Sequence, residues 1–214
     1  IKKLVKIKNK KVSGLALIEG TKVVYEALNY NIVKTLITTQ SEGQIGFNSP
    51  AHHIYVSEEV FEKLSSVKSS QGAMAVIDTN FVNDFRLNQG NFLVLDGIQD
   101  PGNLGTIIRT AVASGFNEIY AINCVDVFND KVIRSTSGNI FKVCYYKTDY
   151  AGLEALFNKK GNYIISADLD GENVFSFNLP QKAKAVGLVL GNEGNGVSSE
   201  AKKFIHKTLT IPMQ

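Results

Sequence analysis

The sequence predicts an α/β protein whose larger part is a parallel sheet flanked by helices, preceded by a small α/β unit. From residue 91 onward, apolar runs of β-forming residues alternate with amphipathic stretches, which indicates strand–helix–strand units with parallel pairing. The run 91–98, NFLVLDGI, is almost continuously apolar, as is typical of a strand covered on both faces. Residues 1–80 carry shorter elements, so we expect a separate compact unit there.

The front unit, residues 1–80, is predicted to contain both helices and strands. The predicted strands are 15–18, 33–39, 53–57 and 73–78, and the predicted helices are 21–28 and 58–66. The second of these helices has two glutamates in its first turn, where negative charge favours a helix start. The stretch 81–90, FVNDFRLNQG, is rich in Asn, Asp and Gly and is predicted to be a linker.

The second unit, residues 91–214, repeats strand and helix more regularly. After the strand at 91–98, the predicted helices are 103–115, 130–141, 151–159 and 198–205, and the predicted strands are 118–124, 143–148, 163–169, 185–191 and 207–213. Such alternation requires crossover connections, so these strands are expected to run parallel with helices on both faces of the sheet.

Composition excludes several classes of function. The chain has 214 residues, 44% hydrophobic and 20% charged, as in ordinary globular proteins. It has no apolar run of about 18 residues and no recognisable signal peptide, so we expect a cytoplasmic protein. Cys124 and Cys144 are too few for a disulfide framework, and the three histidines fit no zinc spacing, so we expect inert thiols and no metal.

Six lysines fall within the first eleven residues, IKKLVKIKNKK, although the net charge is only +3. Such a cluster is either an arm that binds phosphates or the solvated face of a helix, and the sequence leaves both open. Evidence for a nucleic-acid partner must therefore come from other parts of the chain.

Two loops at predicted strand ends combine glycine with polar residues: 96–103, DGIQDPGN, and 190–197, LGNEGNGV. Ligands of open α/β sheets bind beyond the carboxyl ends of the strands. The glycines of the second loop follow neither the dinucleotide fingerprint nor the P-loop, so they indicate close backbone approach to a ligand or a plain tight turn. Asn103 and Arg109 accompany the first loop, without a Ser–His pair, thiol or metal cluster nearby.

Three segments carry a resemblance to a known family. DGIQDPGNLGTIIRTA, NDKVIRSTSGNIF and GLVLGNEGNGVSSE followed by TLTIPM are similar, in order and spacing, to the signature motifs of the SpoU (TrmH-type) RNA 2′-O-ribose methyltransferases of the SPOUT class. The similarity runs through residues 91–213. The front unit, with LIEGTKVVYEAL and SSQGAMAVI, resembles the ribosomal-protein-like RNA-binding domain that often precedes this fold.

The resemblance implies an enzyme that moves the methyl group of S-adenosylmethionine to a ribose 2′-hydroxyl, without a metal. It also implies a homodimer formed through the SPOUT domain and a C-terminal trefoil knot, a rare exception to unknotted topology. The positions that match cofactor-binding residues of the family are Leu190, Gly191, Asn192, Ile211 and Met213. Those that match its catalytic residues are Asn103, Arg109 and Glu193, and those expected to contact RNA phosphates are Lys131 and Arg134.

The family proposal makes the arginine at the position of Arg109 a general base. A guanidinium with a pKa above about 12 is normally never deprotonated, so the alternative is that Arg109 stabilises alkoxide charge or clamps the adjacent phosphate. Since a sulfonium methyl already has an excellent leaving group, positioning can supply much of the acceleration. An amide and a guanidinium then suffice, with Glu193 orienting the loop or Arg109.

Three rival functions remain, each with a discriminating feature. A non-catalytic RNA-binding or ribosome-assembly protein would have no need to keep Asn103, Arg109 and Glu193 together. A base methyltransferase of the same knotted class is disfavoured by the pattern NLGTIIRT, and a nicotinamide-dependent oxidoreductase by the missing fingerprint. The front unit favours ribosomal over transfer RNA, by analogy.

In the family a Ser-Leu-Asn stretch and a knot-threading helix follow I-P-M, and we expect this tail to be absent from a sequence that ends at Gln214.

Overall fold

The computed structural model describes residues 1–10, 12–39, 50–67, 72–83 and 90–213. In chain order the elements are α1 (Lys2–Lys8), β1 (Leu15–Glu19), α2 (Thr21–Asn29), β2 (Val33–Thr39), β3 (His52–Val56), α3 (Glu58–Leu64), β4 (Ala73–Asp78), β5 (Phe92–Asp96), α4 (Pro101–Ala113), β6 (Glu118–Ile122), α5 (Asp130–Thr136), β7 (Cys144–Lys147), α6 (Tyr150–Phe157), β8 (Asn162–Asn173), β9 (Ala185–Gly191), α7 (Ser199–Lys202) and β10 (Lys207–Thr210). Two 3₁₀ turns add Asn80–Asn83 and Asn139–Lys142.

The first sheet is mixed, in the order β1-β4-β2-β3. Strand β4 runs antiparallel to both of its neighbours, and β2 and β3 run parallel. Helix α1 packs beneath this sheet through Leu4 and Ile7, which are buried, and its lysines lie on the opposite, largely exposed face. Four of the six lysines therefore lie on the outer side of an amphipathic helix, Lys10 follows the helix, and Lys11 lies outside the described residues.

The second sheet has the order β10-β8-β9-β5-β6-β7, and every pair in it is parallel. The predicted parallel sheet flanked by helices is confirmed. Side chains of β5 alternate between the two faces: Leu93 and Leu95 join the core that contains α4 and α5, and Phe92 and Val94 join the core beneath α6 and α7. Both faces are covered, which explains the uninterrupted apolar run in the sequence.

Polar side chains mark where the helices of this half begin. The Asp100 carboxylate accepts the Asn103 main-chain N–H (2.8 Å) at the start of α4, and Pro101 occupies the first helical position. Asn129 and Asp149 cap α5 and α6 in the same way. Helix α4 thus begins two residues before the predicted Asn103, because Asp100 is the cap.

Other boundaries also differ from the predictions. Helix α5 ends at Thr136, five residues early, because Ser137 adopts a left-handed conformation (φ 52°). The predicted helix 198–205 shortens to α7, and the last strand ends at Thr210 rather than residue 213. Residues 84–89 of the predicted linker lie outside the described residues. No helix in the described ranges is long and apolar enough to span a membrane.

Candidate active site

The two polar loops meet because their strands are neighbours. Strands β5 and β9 pair in parallel, with Asp96 opposite Gly191. Both strands therefore end at the same edge of the sheet, and the loops 97–100 and 192–197 leave that edge side by side. This is the edge at which parallel sheets present ligand-binding loops.

Glu193 joins the two loops through hydrogen bonds. Its carboxylate accepts the main-chain N–H groups of Gln99 (3.3 Å) and Asp100 (3.2 Å) and the side-chain amide of Asn103 (3.0 Å). Partial burial opposes the charge, but the hydrogen bonds from Asn103 and from main-chain amides outweigh it and hold the pKa of Glu193 below its ordinary value. At neutral pH this residue is an ionised acceptor that orients Asn103.

The second loop is held tightly by its own main chain. Asn192 donates its side-chain amide to the Gly97 carbonyl (2.8 Å), and its oxygen accepts the N–H groups of Gly194 and Asn195 (both 3.0 Å). A Cβ atom added at Gly191 would lie 2.2 Å from the carbonyl carbon of Gly196. A side chain at position 191 would clash with the main chain of Gly196 and Val197, so this close approach of two backbone segments requires glycine.

Arg109 stands apart from this hydrogen-bonded cluster. It lies six residues after Asn103 on α4, about 9 Å along the helix axis, and its side chain is exposed. Among the described residues it has no hydrogen-bond or ion-pair partner. The guanidinium is thus available to a ligand, but the structure does not bring it into contact with Asn103 or Glu193.

The two cationic residues of the second motif have different surroundings. Lys131, in the first turn of α5, pairs with the Asp100 carboxylate (3.2 Å) and so stands beside the first loop. The main-chain N–H of Asn103 and then the Lys131 ammonium hold the pKa of Asp100 below its ordinary value. Arg134 is half-buried, lines a cleft with Gly20 and Ser137, and has a buried Nη1 that finds no hydrogen-bond partner within the part of the chain that the structure describes.

The predicted cofactor residues divide into two groups. Leu190, Gly191 and Asn192 lie at the end of β9 beside the first loop. Ile211 and Met213 follow β10 and are 66% and 79% exposed. In the sheet, β8 lies between β9 and β10, so the strand that leads to Ile211 and Met213 is parallel to β9 but is not its immediate neighbour.

Comparison with known proteins assigns the family. Residues 90–214 match the SpoU rRNA methylase family, and residues 1–75 match the MRM3-like substrate-binding domain. The chain belongs to the SpoU rRNA methylase family. The resemblance predicted from the three motifs is confirmed.

Two relatives of this SpoU family chain are named as RNA methyltransferases, and each aligns with it over most of the length of both proteins. The 23S rRNA (guanosine(2553)-2′-O)-methyltransferase RlmP of Bacillus subtilis is 27% identical, over 99% of this chain and 85% of RlmP. An uncharacterized tRNA/rRNA methyltransferase of Synechocystis is 32% identical, over 99% of this chain and 81% of that protein.

Solved structures also match the SpoU chain along its whole length. A protein of Porphyromonas gingivalis assigned to the TrmH family of RNA methyltransferases superposes with a TM-score of 0.85 at 29% identity, over 100% of this chain and 88% of that chain. The AdoMet complex of the SpoU methyltransferase AviRb of Streptomyces viridochromogenes superposes with a TM-score of 0.83 at 20% identity, over 99% and 86% of the two chains, and supports the fold.

One group of site residues in this SpoU chain escaped the sequence analysis. Asp96, only 6% exposed, accepts the Ser198 main-chain N–H (2.8 Å) and the Tyr150 hydroxyl, and Tyr150 in turn contacts the Ser198 hydroxyl (2.5 Å). Burial and the neighbouring Asp96 carboxylate raise the pKa of Tyr150, which therefore stays a donor. The one local sign of this group is a charged residue at the end of an apolar strand. The sequence does not reveal its partners, because they lie 54 and 102 positions away along the chain.

Proposed function

We propose that this chain transfers the methyl group of S-adenosylmethionine to the 2′-hydroxyl of a ribose in ribosomal RNA. The observation that carries the proposal is the set of three hydrogen bonds that the Glu193 carboxylate accepts from Asn103 and the first loop. These bonds, called the clasp of Glu193 below, join two signature motifs at one edge of the sheet. The relationship to RlmP, a 23S rRNA 2′-O-methyltransferase that matches nearly the whole chain, supports the same reaction.

The residues at the end of β9 fit a cofactor held by backbone groups. The crossing at Gly191 leaves no room for a side chain, and Asn192 fixes the loop through three hydrogen bonds. Leu190 lines an apolar cleft of about 240 Å³ with Leu93 and Ile107. S-adenosylmethionine supplies a sulfonium methyl, and Leu190, Gly191 and Asn192 would hold it, together with Ile211 and Met213. AviRb, which shares the fold and was solved in complex with AdoMet, supports this choice.

The chain's own polar residues position and polarise the acceptor ribose. Asn103 is fixed by Glu193 and can accept or donate a hydrogen bond to a ribose hydroxyl. The unpartnered Arg109 guanidinium stabilises negative charge on the 2′-oxygen or clamps an adjacent phosphate through its planar fork. Lys131, already beside Asp100, and Arg134 contact RNA phosphates.

The remaining features of the proposal concern assembly and substrate. The MRM3-like domain supports a structured RNA as substrate, and ribosomal RNA is favoured over transfer RNA. The protein works in the cytoplasm as a homodimer through its SPOUT domain, whose C-terminal part forms a trefoil knot.

Methyl transfer to purified RNA tests the proposal. The full-length protein is incubated with tritiated S-adenosylmethionine and either 23S rRNA or tRNA from a strain that lacks the gene. We expect label in 23S rRNA alone, recovered after complete digestion as a 2′-O-methylated nucleoside. Label on a base, or no label in either RNA, would refute the proposed reaction, and label confined to tRNA would refute the substrate.

A further inference from the structure

A cluster of lysines lies at the edge of the second sheet that is opposite the candidate active site. Lys159 and Lys160 follow α6, Lys203 follows α7, and Lys184 immediately precedes β9. All four are exposed. Strands β8 and β9 begin side by side at this edge, whereas the loops of the candidate active site leave the carboxyl ends of β5 and β9. These four lysines are called the amino-edge patch below.

Three lysines of the patch border one cleft of about 380 Å³. The turn after α6, which carries Lys159 and Lys160, forms one wall, and the segment after α7, which carries Lys203, forms the other. Lys184 adjoins the same turn, because a Cβ atom at Gly161 would lie 3.1 Å from its Cγ and Cδ atoms. The four side chains therefore start from one small area of the surface.

Packing and hydrogen bonds hold the walls of this cleft in place. Phe157 and Phe204 both line it, and their rings stack with centroids 4.8 Å apart. Asn162 donates its main-chain N–H to the Lys159 carbonyl (3.0 Å) and its side-chain amide to the Leu156 carbonyl (2.9 Å). Because the backbone that carries the lysines is fixed, less conformational freedom is lost when they bind a ligand.

The positive charge of the amino-edge patch is not neutralised by acids. Within the parts of the chain that the structure describes, no carboxylate lines the cleft, and none of the four ammonium groups has a hydrogen-bond or ion-pair partner. The acids nearest to α6 and α7 lysines along the chain are Glu154 and Glu200, and the second accepts the Ser199 hydroxyl (3.0 Å). Four positive charges thus stand together in a chain whose net charge is only +3.

Helix ends explain only part of this cluster. A helix C-terminus carries partial negative charge, which favours lysines in its vicinity. This effect accounts for the three lysines that follow α6 and α7. It does not account for Lys184, which lies at the start of β9 and packs against Gly161. The cluster therefore extends beyond what helix stability requires.

His206 adds a hydrogen-bond donor to the cleft. It lines the cleft and is exposed. Its Nδ1 accepts the Ile164 main-chain N–H (3.0 Å), and its ring stacks on Tyr163 with centroids 5.0 Å apart. Since an accepting Nδ1 carries no proton, the ring proton lies on Nε2. The cleft thus combines ammonium groups with a donor of fixed orientation, a set that suits phosphate oxygens.

The distance to the candidate active site determines which anion fits. The patch and the second loop lie at opposite ends of β9, whose seven residues span about 20 Å at about 3.3 Å per residue. A single nucleotide is too short to bridge this distance, whereas a folded RNA carries a phosphate charge on every nucleotide. A long polyanion that also reaches the active site is therefore the ligand that fits the patch.

We propose that the amino-edge patch binds the phosphate backbone of the substrate RNA, about 20 Å from the ribose that is methylated. The four lysines neutralise phosphates, and the Nε2–H group of His206 donates to a phosphate oxygen. Such contacts fix the position and orientation of an RNA without reading its sequence. The inference rests on the proposed function for RNA as the substrate, and it adds a contact area remote from the candidate active site.

The salt dependence of RNA binding tests the patch. Each phosphate that a lysine neutralises releases counterions and steepens the fall of log K with log salt by about 0.7–0.9. The triple variant Lys159→Gln/Lys160→Gln/Lys203→Gln should therefore lower the magnitude of the slope by about 2 and weaken binding about tenfold or more at 0.1 M KCl. Lys184→Gln alone should lower it by about 1. Dissociation constants are measured by filter binding with 23S rRNA transcribed in vitro.

A matched triple variant controls for the loss of charge. Lys34, Lys63 and Lys142 are also surface lysines, but each pairs with a carboxylate. Their joint replacement by glutamine removes the same charge and should leave the slope close to that of the wild type. An equal fall of the slope in the two triple variants would contradict a specific role of the patch.

Two further measurements separate RNA binding from stability. Lysines that bind RNA leave the melting temperature nearly unchanged, and their loss raises KM for the RNA without lowering kcat, since uniform binding is removed. Lysines that only support helix ends lower the melting temperature when replaced and leave KM unchanged. Unaltered RNA affinity and slope in both the triple variant and Lys184→Gln would overturn the inference and leave an acidic protein surface as the partner of the patch.

The outcome is separable from that of the proposed function. Wild-type protein that binds RNA through the patch but transfers no methyl group would refute the reaction and leave the patch assignment in place. Normal methyl transfer with an unaltered salt slope in the patch variants would refute only the patch assignment.

Discussion

Arg109 and Glu193 do different work at the candidate site, as their surroundings show. Glu193 uses its carboxylate on two main-chain amides and on Asn103. Arg109 is exposed and has no partner among the described residues, so its five N–H donors are available to a ligand. The carboxylate thus orders the loop, and we propose that the guanidinium acts on the substrate.

The substitution Arg109→Lys tests the role of the guanidinium. A lysine keeps the charge but loses the planar fork that holds a phosphate or alkoxide by two parallel hydrogen bonds. We expect methyl transfer to fall at least about 100-fold, with the affinity for S-adenosylmethionine unchanged by calorimetry. A variant with full turnover would contradict this role.

The substitution Glu193→Gln tests the ionised carboxylate through its pH dependence. Because the folded-state pKa of Glu193 lies below its ordinary value of 4.5, its stabilising contribution is present above pH 4.5 and is lost as pH falls through the folded-state pKa. The wild type should melt at a higher temperature than the variant at pH 7, and the two melting temperatures should converge as the pH falls below the folded-state pKa. A pH-independent difference in melting temperature would exclude a charge effect.

At the scale of elements, strands β5 and β9 place the candidate site because both end at the same edge of the sheet. Two features hold the loops that follow these strands. The Asp96–Tyr150–Ser198 group links β5 to α6 and α7, and the crossing at Gly191 folds the second loop back on itself. Each feature can be tested with a matched control.

The first test removes the buried carboxylate at the end of β5. Asp96→Asn places an amide where the Ser198 N–H and the Tyr150 hydroxyl both donate, which leaves a buried donor unpaired. We expect a loss of about 1–3 kcal/mol in the free energy of unfolding, and about 1 kcal/mol for Tyr150→Phe. Urea denaturation measures both, with Tyr55→Phe as the control on an exposed ring. Equal stability of Asp96→Asn and wild type would refute the structural role of this group.

The second test probes the backbone crossing of the second loop. Gly191→Ala would bring a Cβ within 2.3 Å of the Val197 nitrogen, whereas at Gly194 the nearest atom is the Asn192 side-chain oxygen at 3.7 Å. We expect Gly191→Ala to lose about 1–3 kcal/mol of stability together with its affinity for S-adenosylmethionine, and Gly194→Ala to keep both. Similar behaviour of the two variants would show that the crossing does not shape the loop.

For the whole molecule, sequence patterns within one element predicted the fold better than they predicted contacts between residues far apart in the chain. The apolar run at 91–98 and the strand–helix rhythm predicted the parallel sheet, because covered strands and amphipathic helices leave local patterns. The resemblance grouped Asn103, Arg109 and Glu193 as catalytic residues, and the structure brings Asn103 and Glu193 into contact but not Arg109. The partners of Asp96 could not be predicted, since nothing local links it to Tyr150 or Ser198.

The order of strands explains the remaining discrepancy. The sequence shows that the terminal segment ends in a strand but not which neighbour it pairs with, and β10 pairs with β8 rather than β9. Ile211 and Met213 follow β10, and their cofactor role stays a prediction.

The central claim is that the clasped loops beside Arg109 form a ribose methyltransferase site. Alkaline hydrolysis tests it most directly, because a 2′-O-methyl group prevents cleavage of the following phosphodiester. The protein and S-adenosylmethionine are incubated with unmodified 23S rRNA, and the cleavage ladder is read at single-nucleotide resolution. The account predicts one new alkali-resistant position, absent with Arg109→Lys; a ladder without a new gap, or a gap that persists in that variant, would contradict it.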